Sequence, residues 1–190
     1  KISYHTTIIH RMMDMLFINM KQSLKILSYA FVLAFLSSFL HAQQKTTVTR
    51  VIDGDTIQAL YGGVENRIRL IGIDTPESRV NRKAKKDKYA NMSEHDTKAI
   101  IEMGKKAKAY VDGLLKRGDM ITIEVGVQEM DKYGRLLGYV YLSNGKMLNE
   151  EIVKAGYAVI MTIPPNVKYK DRFLIAYQEA KEDKRGLWGE

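Results

Sequence analysis

Cysteine is absent from the 190 residues, which excludes disulfides and thiolate metal centres. Histidine is scarce: His5, His10, His41 and His95 are the four, and no two have the spacing of a zinc pair. A histidine-based metal centre is thereby disfavoured, and a metal here would be a hard cation held by oxygen. Long apolar runs are also missing. The uncharged stretch from Ile26 to Leu40 has about 15 residues, short of the roughly 20 that a membrane span needs.

What is present is enough for one core: 45% of the residues are hydrophobic, in a chain of single-domain length. Lys21 and Lys25 precede the Ile26–Leu40 run, and the small Ala42 and polar Gln43 follow it. That order reads as a secretory signal peptide over residues 20–42, with residues 1–19 an upstream leader outside the fold. A membrane anchor is the competing reading, disfavoured by the short run and the polar residues after it. The folded domain is expected over residues 43–190. The formal charge is +8, and +5 from Gln43 onward. Six basic residues, Arg79, Arg82, Lys83, Lys85, Lys86 and Lys88, crowd one loop against Asp87. Such a run is often no more than a solvated loop, but it suits a polyanionic partner.

Along the domain, residues 46–52 have the β-branched content of a strand, and Asp53-Gly54-Asp55 turns it into a second at 56–61. Gly62-Gly63 leads to a third strand at 66–73, with Ile68 and Leu70 on one face and Arg67, Arg69 and Ile71 on the other. Apolar residues at helical spacing from Ile100 to Leu114 predict a helix, with Asp96 as N-cap and Lys116-Arg117-Gly118 as its basic end and stop. Strands follow at 120–127 and 135–142, and helices at about 149–155 and 171–183. The fold class expected is α+β: a five-stranded, partly open OB-fold barrel with about three helices.

Three segments carry chemistry: Ile52-Asp53-Gly54-Asp55-Thr56, Arg69 through Glu77 (RLIGIDTPE), and Asp131-Lys132-Tyr133-Gly134-Arg135. Singly, each could be an ordinary turn or strand terminator. Together they hold what phosphodiester hydrolysis needs. Asp55 and Asp74 could share one hard cation with the carbonyl of Thr75. Glu77 is near enough in sequence to act on a water at that ion. Arg69 and Arg135 offer paired donors to phosphate oxygens.

With Asn144 to Glu150 (NGKMLNE), Gly156 and Ala180 to Trp188 (AKEDKRGLW), these segments resemble the staphylococcal nuclease (thermonuclease) family from about Thr46 to Trp188. The resemblance implies one calcium ion held by Asp55, Asp74 and Thr75, with Asp53 shaping its water shell. Arg69, Glu77 and Arg135 would be catalytic: the arginines clamp the phosphate, and Glu77 orients or deprotonates the attacking water. Lys132 and Tyr133 would contact a neighbouring phosphate. The implied activity is a secreted or periplasmic, monomeric nuclease that cuts DNA and RNA at the 5′ oxygen and leaves 3′-phosphate ends. Single-stranded or frayed segments are the expected substrate, and no stable membrane insertion follows cleavage of the signal.

Two departures stand out. Met161 and Ile163 occupy positions where the best-known member has tyrosines flanking the nucleotide. They are expected to be packing residues, with Tyr157 or Tyr169 as other sources of stacking. The 78–94 loop is longer than in that member, and is expected to track phosphates. The alternative functions are a catalytically silent OB-fold nucleic-acid-binding module and a scaffold whose basic loop binds an envelope polyanion. Both predict no strand cleavage.

Overall fold

The computed structural model describes residues 15, 20–25, 27–29, 43–79 and 94–189. The chain divides into two units, Lys1–His41 and Ala42–Glu190. In the first, residues 20–25 and 27–29 are helical, and the rest of the expected leader and signal segment lies outside the described residues. So do residues 80–93, with most of the basic loop.

The second unit is built on a closed barrel. Its strands are β1 (Gln44–Asp53), β2 (Thr56–Tyr61), β3 (Val64–Leu70), β5 (Met120–Met130) and β6 (Leu136–Tyr141), arranged in the order β1-β2-β3-β6-β5. All pairs are antiparallel except β3 with β6, which run parallel. The expected five-stranded α+β architecture is present, with the barrel closed by β1 against β5 instead of partly open. Alternation fills the interior: Ile57 and Ala59 on β2, Ile68 and Leu70 on β3, Ile121 and Ile123 on β5 are all buried. On β1 the inward residues are Val48 and Val51, because a register shift between Val48 and Arg50 advances the pleat by one.

The expected third strand breaks in two. It stops at Leu70, turns at Ile71 and resumes as β4 (Gly72–Asp74), which leaves the barrel to pair with β7 (Val159–Met161). Ile71 therefore does not lie outward with the arginines; both it and Ile73 are buried. Two features force the break. Gly72 has φ +84°, and a Cβ there would stand 2.6 Å from the Phe173 ring. Asn149, fully buried, then stitches the gap: its Oδ1 accepts from Val140 N–H (3.0 Å) and its Nδ2 donates to the Ile71 carbonyl (2.9 Å).

Three α-helices follow the motifs. α1 spans Glu94–Leu114, so Asp96 is not its N-cap but sits inside the first turn, where its charge still favours the dipole. Lys116 and Arg117 likewise fall beyond its end, in a turn where Gly118 takes φ +94°. α2 (Leu148–Lys154) buries Leu148, Ile152 and Val153. α3 (Lys170–Glu182) buries Phe173, Ala176 and Ala180, and packs against α2. A 3-10 turn, Gly186–Trp188, sets the indole edge-on against Tyr177 at 5.4 Å.

Candidate active site

The β1–β2 corner and the strand break meet at one rim of the barrel. Thr56 of β2 pairs with Arg69 of β3, and the Asp55 carbonyl accepts from Leu70 N–H at 2.9 Å. That register brings Asp55 beside the segment from Arg69 to Ser78.

Arg69 is the hub. Its Nη2 lies 3.1 Å from Asp55 Oδ2 and 2.7 Å from Asp74 Oδ1. Its Nη1 donates to the carbonyls of Leu70 (3.1 Å) and Ile73 (2.8 Å), which fixes the guanidinium across the strand break. The Arg69 side chain is 11% exposed and that of Asp55 10%, so the pairing is screened little by water. Asp55 also accepts from the Thr56 hydroxyl (2.9 Å) and from Thr75 N–H (3.0 Å). Thr75 itself is buried. Asp53 accepts from Gly54 N–H (2.9 Å) and Ser78 N–H (3.4 Å). Burial pushes the Asp53 carboxyl up, and the neighbouring Asp55 charge adds to the rise.

α1 holds this loop in place through small residues. A Cβ on Gly104 would meet the Glu77 carbonyl at 2.2 Å, and one on Gly54 would meet Ala107 at 3.0 Å. Helix and loop backbones thus touch directly, with half-buried Glu77 between Thr75 and the helix contact. Gly104, Ala107 and Ser78 were not singled out for the site by the sequence, and Thr56 only closed its first segment. Their signal is only a small or hydroxylated residue, which is too common to notice without the contact.

Arg135 comes from the β5–β6 hairpin. Its Nε donates to Asp131 Oδ2 (2.7 Å), while Asp131 Oδ1 accepts the backbone N–H groups of Tyr133 (2.8 Å) and Arg135 (3.0 Å). Asp131 thus builds the turn and aims the guanidinium, a role its place in the motif did not reveal. Burial by itself would raise its carboxyl, but the bonds from Arg135 and Tyr133 outweigh that and hold it low. Arg135 makes no ion pair with Asp55 or Asp74. The parallel register Ile68↔Leu136 sets Arg135, which stands just before β6, near the stretch of β3 that carries Arg69. Tyr133 is exposed, with Lys132 (5.1 Å) and Arg135 (5.6 Å) over its ring.

Met161 and Ile163 are not packing residues: they are 45% and 62% exposed. β7 pairs only with β4, so one face of that ribbon covers the core through Ile160 and the other faces water. Because Asp74 pairs with Val159 and Gly72 with Met161, the exposed Val159 and Met161 share a face with Asp74. Tyr157 stacks on Tyr110 at 5.0 Å, and the Tyr169 hydroxyl bonds Glu124 at 2.9 Å, so both rings are already engaged.

The donor set suits a hard cation. All candidate donors are oxygens, and a carboxylate oxygen of Asp55 and one of Asp74 both lie within 3.1 Å of a single Arg69 nitrogen, the kind of paired carboxylates that a hard cation takes. Among the described residues no group of three His, Cys, Asp or Glu side chains forms a complete cage. The protein would supply part of a shell, and water or substrate the remainder.

A family described as “Staphylococcal nuclease homologue” matches residues 67–190. An uncharacterized protein of Methanocaldococcus jannaschii is 36% identical over 155 residues, covering 78% of this chain and 73% of its own. The thermonuclease of Staphylococcus hyicus is 34% identical over 146 residues, covering 77% and 76%. Endonuclease YncB of Bacillus subtilis is 36% identical over 143 residues, covering 75% of this chain and 60% of its own length.

Proposed function

The chain belongs to the staphylococcal nuclease family, and on that premise we propose that it is a calcium-dependent nuclease that hydrolyses the phosphodiester bonds of DNA and RNA. The observation that carries the reading is Arg69 paired with both Asp55 and Asp74 at the barrel rim. The names of the thermonuclease and endonuclease relatives support the substrate class.

A phosphodiester resists water because its anion repels the nucleophile and its alkoxide leaves poorly. Asp55, Asp74 and the Thr75 carbonyl would hold the calcium, with Asp53 ordering water around it. Calcium bound there supplies charge to the phosphoryl oxygen and lowers the pKa of a bound water. Arg69 and Arg135 donate to the phosphate oxygens as negative charge grows on them. Glu77 orients the water or takes its proton. The new P–O bond forms as the bond to the 5′ oxygen breaks, and that oxygen takes up a proton, leaving a 3′-phosphate and a 5′-hydroxyl. Lys132 and Tyr133 contact the next phosphate. A monomer acting on single-stranded or frayed segments fits this open rim, and the basic, uncharged and small-residue order of residues 20–42 supports export to the periplasm or medium.

The test is hydrolysis of denatured DNA and of RNA by the chain from Gln43 onward, with calcium or with chelator, followed by end-group analysis. Calcium-dependent fragments ending in 3′-phosphate are expected. No cleavage in either tube would leave a silent binding module; 5′-phosphate ends would refute the proposed bond.

A further inference from the structure

A second concave surface, of about 500 Å³, lies between β1 and the C-terminal end of α1. Arg50, Arg79, Lys108, Lys116 and Arg117 line it, against Asp112. Asp112 is already neutralised by Lys108 at 2.6 Å, and the Lys116 ammonium bonds the Asp112 carbonyl. Among the described residues Arg50, Arg79, Lys116 and Arg117 enter no ion pair, so four positive charges face one hollow. Its floor includes the buried Val51 and Leu115, and apolar walls of that kind concentrate the field of the charges above them. Such self-repulsion costs stability, which a polyanion would relieve.

The groove is continuous in chain with the candidate active site. Arg50 stands three strand positions before Asp53, about 10 Å along β1. Arg79 comes two residues after Glu77, and Lys108 follows Ala107, which touches the Gly54 corner. The two segments that form the acidic cluster, and the helix that covers them, therefore carry the basic charges away from it. Four charges outside any ion pair exceed the roughly two that a lone phosphate carries, which matches a repeating anion better. We infer that this groove is a second contact site for the substrate strand, taking phosphates several nucleotides from the bond that is cut. Its purpose rests on the nuclease reading above, but its test does not.

The test is equilibrium binding by the full chain, in chelator, to a labelled single strand of ~16 nucleotides and to a trinucleotide, across a salt series. The groove variant is Arg50→Gln/Lys116→Gln/Arg117→Gln. The control, Lys154→Gln/Lys170→Gln/Lys184→Gln, removes the same charge outside the groove. Three lost phosphate contacts at about 0.7 each should lower the log–log salt slope for the long strand by about 2. Affinity for the trinucleotide, and kcat with calcium, should be unchanged. A slope equal to wild type, or lowered no more than in the control, overturns the inference. Should the triple variant not fold, Arg117→Gln alone carries the test, with an expected drop of about 0.7. A lowered slope in a protein that cuts nothing would keep the groove and remove the nuclease; cleavage with an unaltered slope would do the reverse.

Discussion

Arg69 would join catalysis to folding, since the guanidinium proposed to face the phosphate also binds two carboxylates and the carbonyls of Leu70 and Ile73. Arg69→Ala should therefore lose rate by about 100- to 1000-fold and also about 3 kcal/mol of stability, because the buried Asp55 and the half-buried Asp74 lose their partner. Arg135→Ala should lose a similar rate yet less than about 1 kcal/mol, since Asp131 still holds the turn through backbone N–H groups. Steady-state rates and melting curves on both variants separate the two; equal destabilisation would contradict this division of labour. Glu124 is a purely structural counterpart. Burial would raise its carboxyl, but hydrogen bonds from Lys168 (2.7 Å), Tyr169 (2.9 Å) and Tyr141 (3.1 Å) outweigh that and hold it below the ordinary 4.5. A lowered folded-state pKa gives stability that is full above pH 4.5 and is lost as pH falls through the folded value. Glu124→Gln should cost about 1–3 kcal/mol at pH 7, and denaturant midpoints of variant and wild type should converge on acidification. A gap that is constant with pH would exclude the carboxylate as its source.

Between elements, the site depends on how closely α1 approaches the loop it covers. Gly104→Ala puts a methyl group against the Glu77 carbonyl, which backbone cannot yield cheaply. Displacement of the loop should cost about 1–3 kcal/mol and lower kcat, seen by melting and by initial rates. Unchanged kcat would mean that Glu77 does not depend on this contact. The β4–β7 ribbon offers the opposite experiment. Its exposed Met161, and Ile163 just beyond it, present no aromatic face to a base. Replacing both with Tyr should tighten single-strand binding, with about 1–3 kcal/mol available for each base that stacks, and leave kcat nearly unchanged. Binding isotherms that do not move would show that the ribbon is not a base platform.

For the molecule as a whole, an ion bound only by the folded rim must raise stability. Calcium at a hundredfold excess over its Kd should add about 2.7 kcal/mol, read as a shift in Tm, and Asp55→Asn should abolish that shift. An equal shift in the variant would place the ion elsewhere. Sequence alone identified the two segments with Asp53, Asp55, Arg69, Asp74 and Thr75, because turn residues and strand alternation are short-range properties that neighbours dictate. It also determined the barrel's strand count and the positions of the three α-helices described from Glu94 onward to within a turn. The tertiary structure decided the rest. The strand break at Gly72 depends on Phe173, a hundred residues away, and on Asn149 filling the gap. The exposure of Met161 and Ile163 depends on β7 pairing outside the barrel, so an apolar pair that looks like core faces water. Leu136, next to Arg135, lies beside Ile68, next to Arg69, only through a parallel register that no local pattern encodes. Local propensity names the residues that can turn, pair or carry charge; which of them meet is set by packing between segments far apart in the chain.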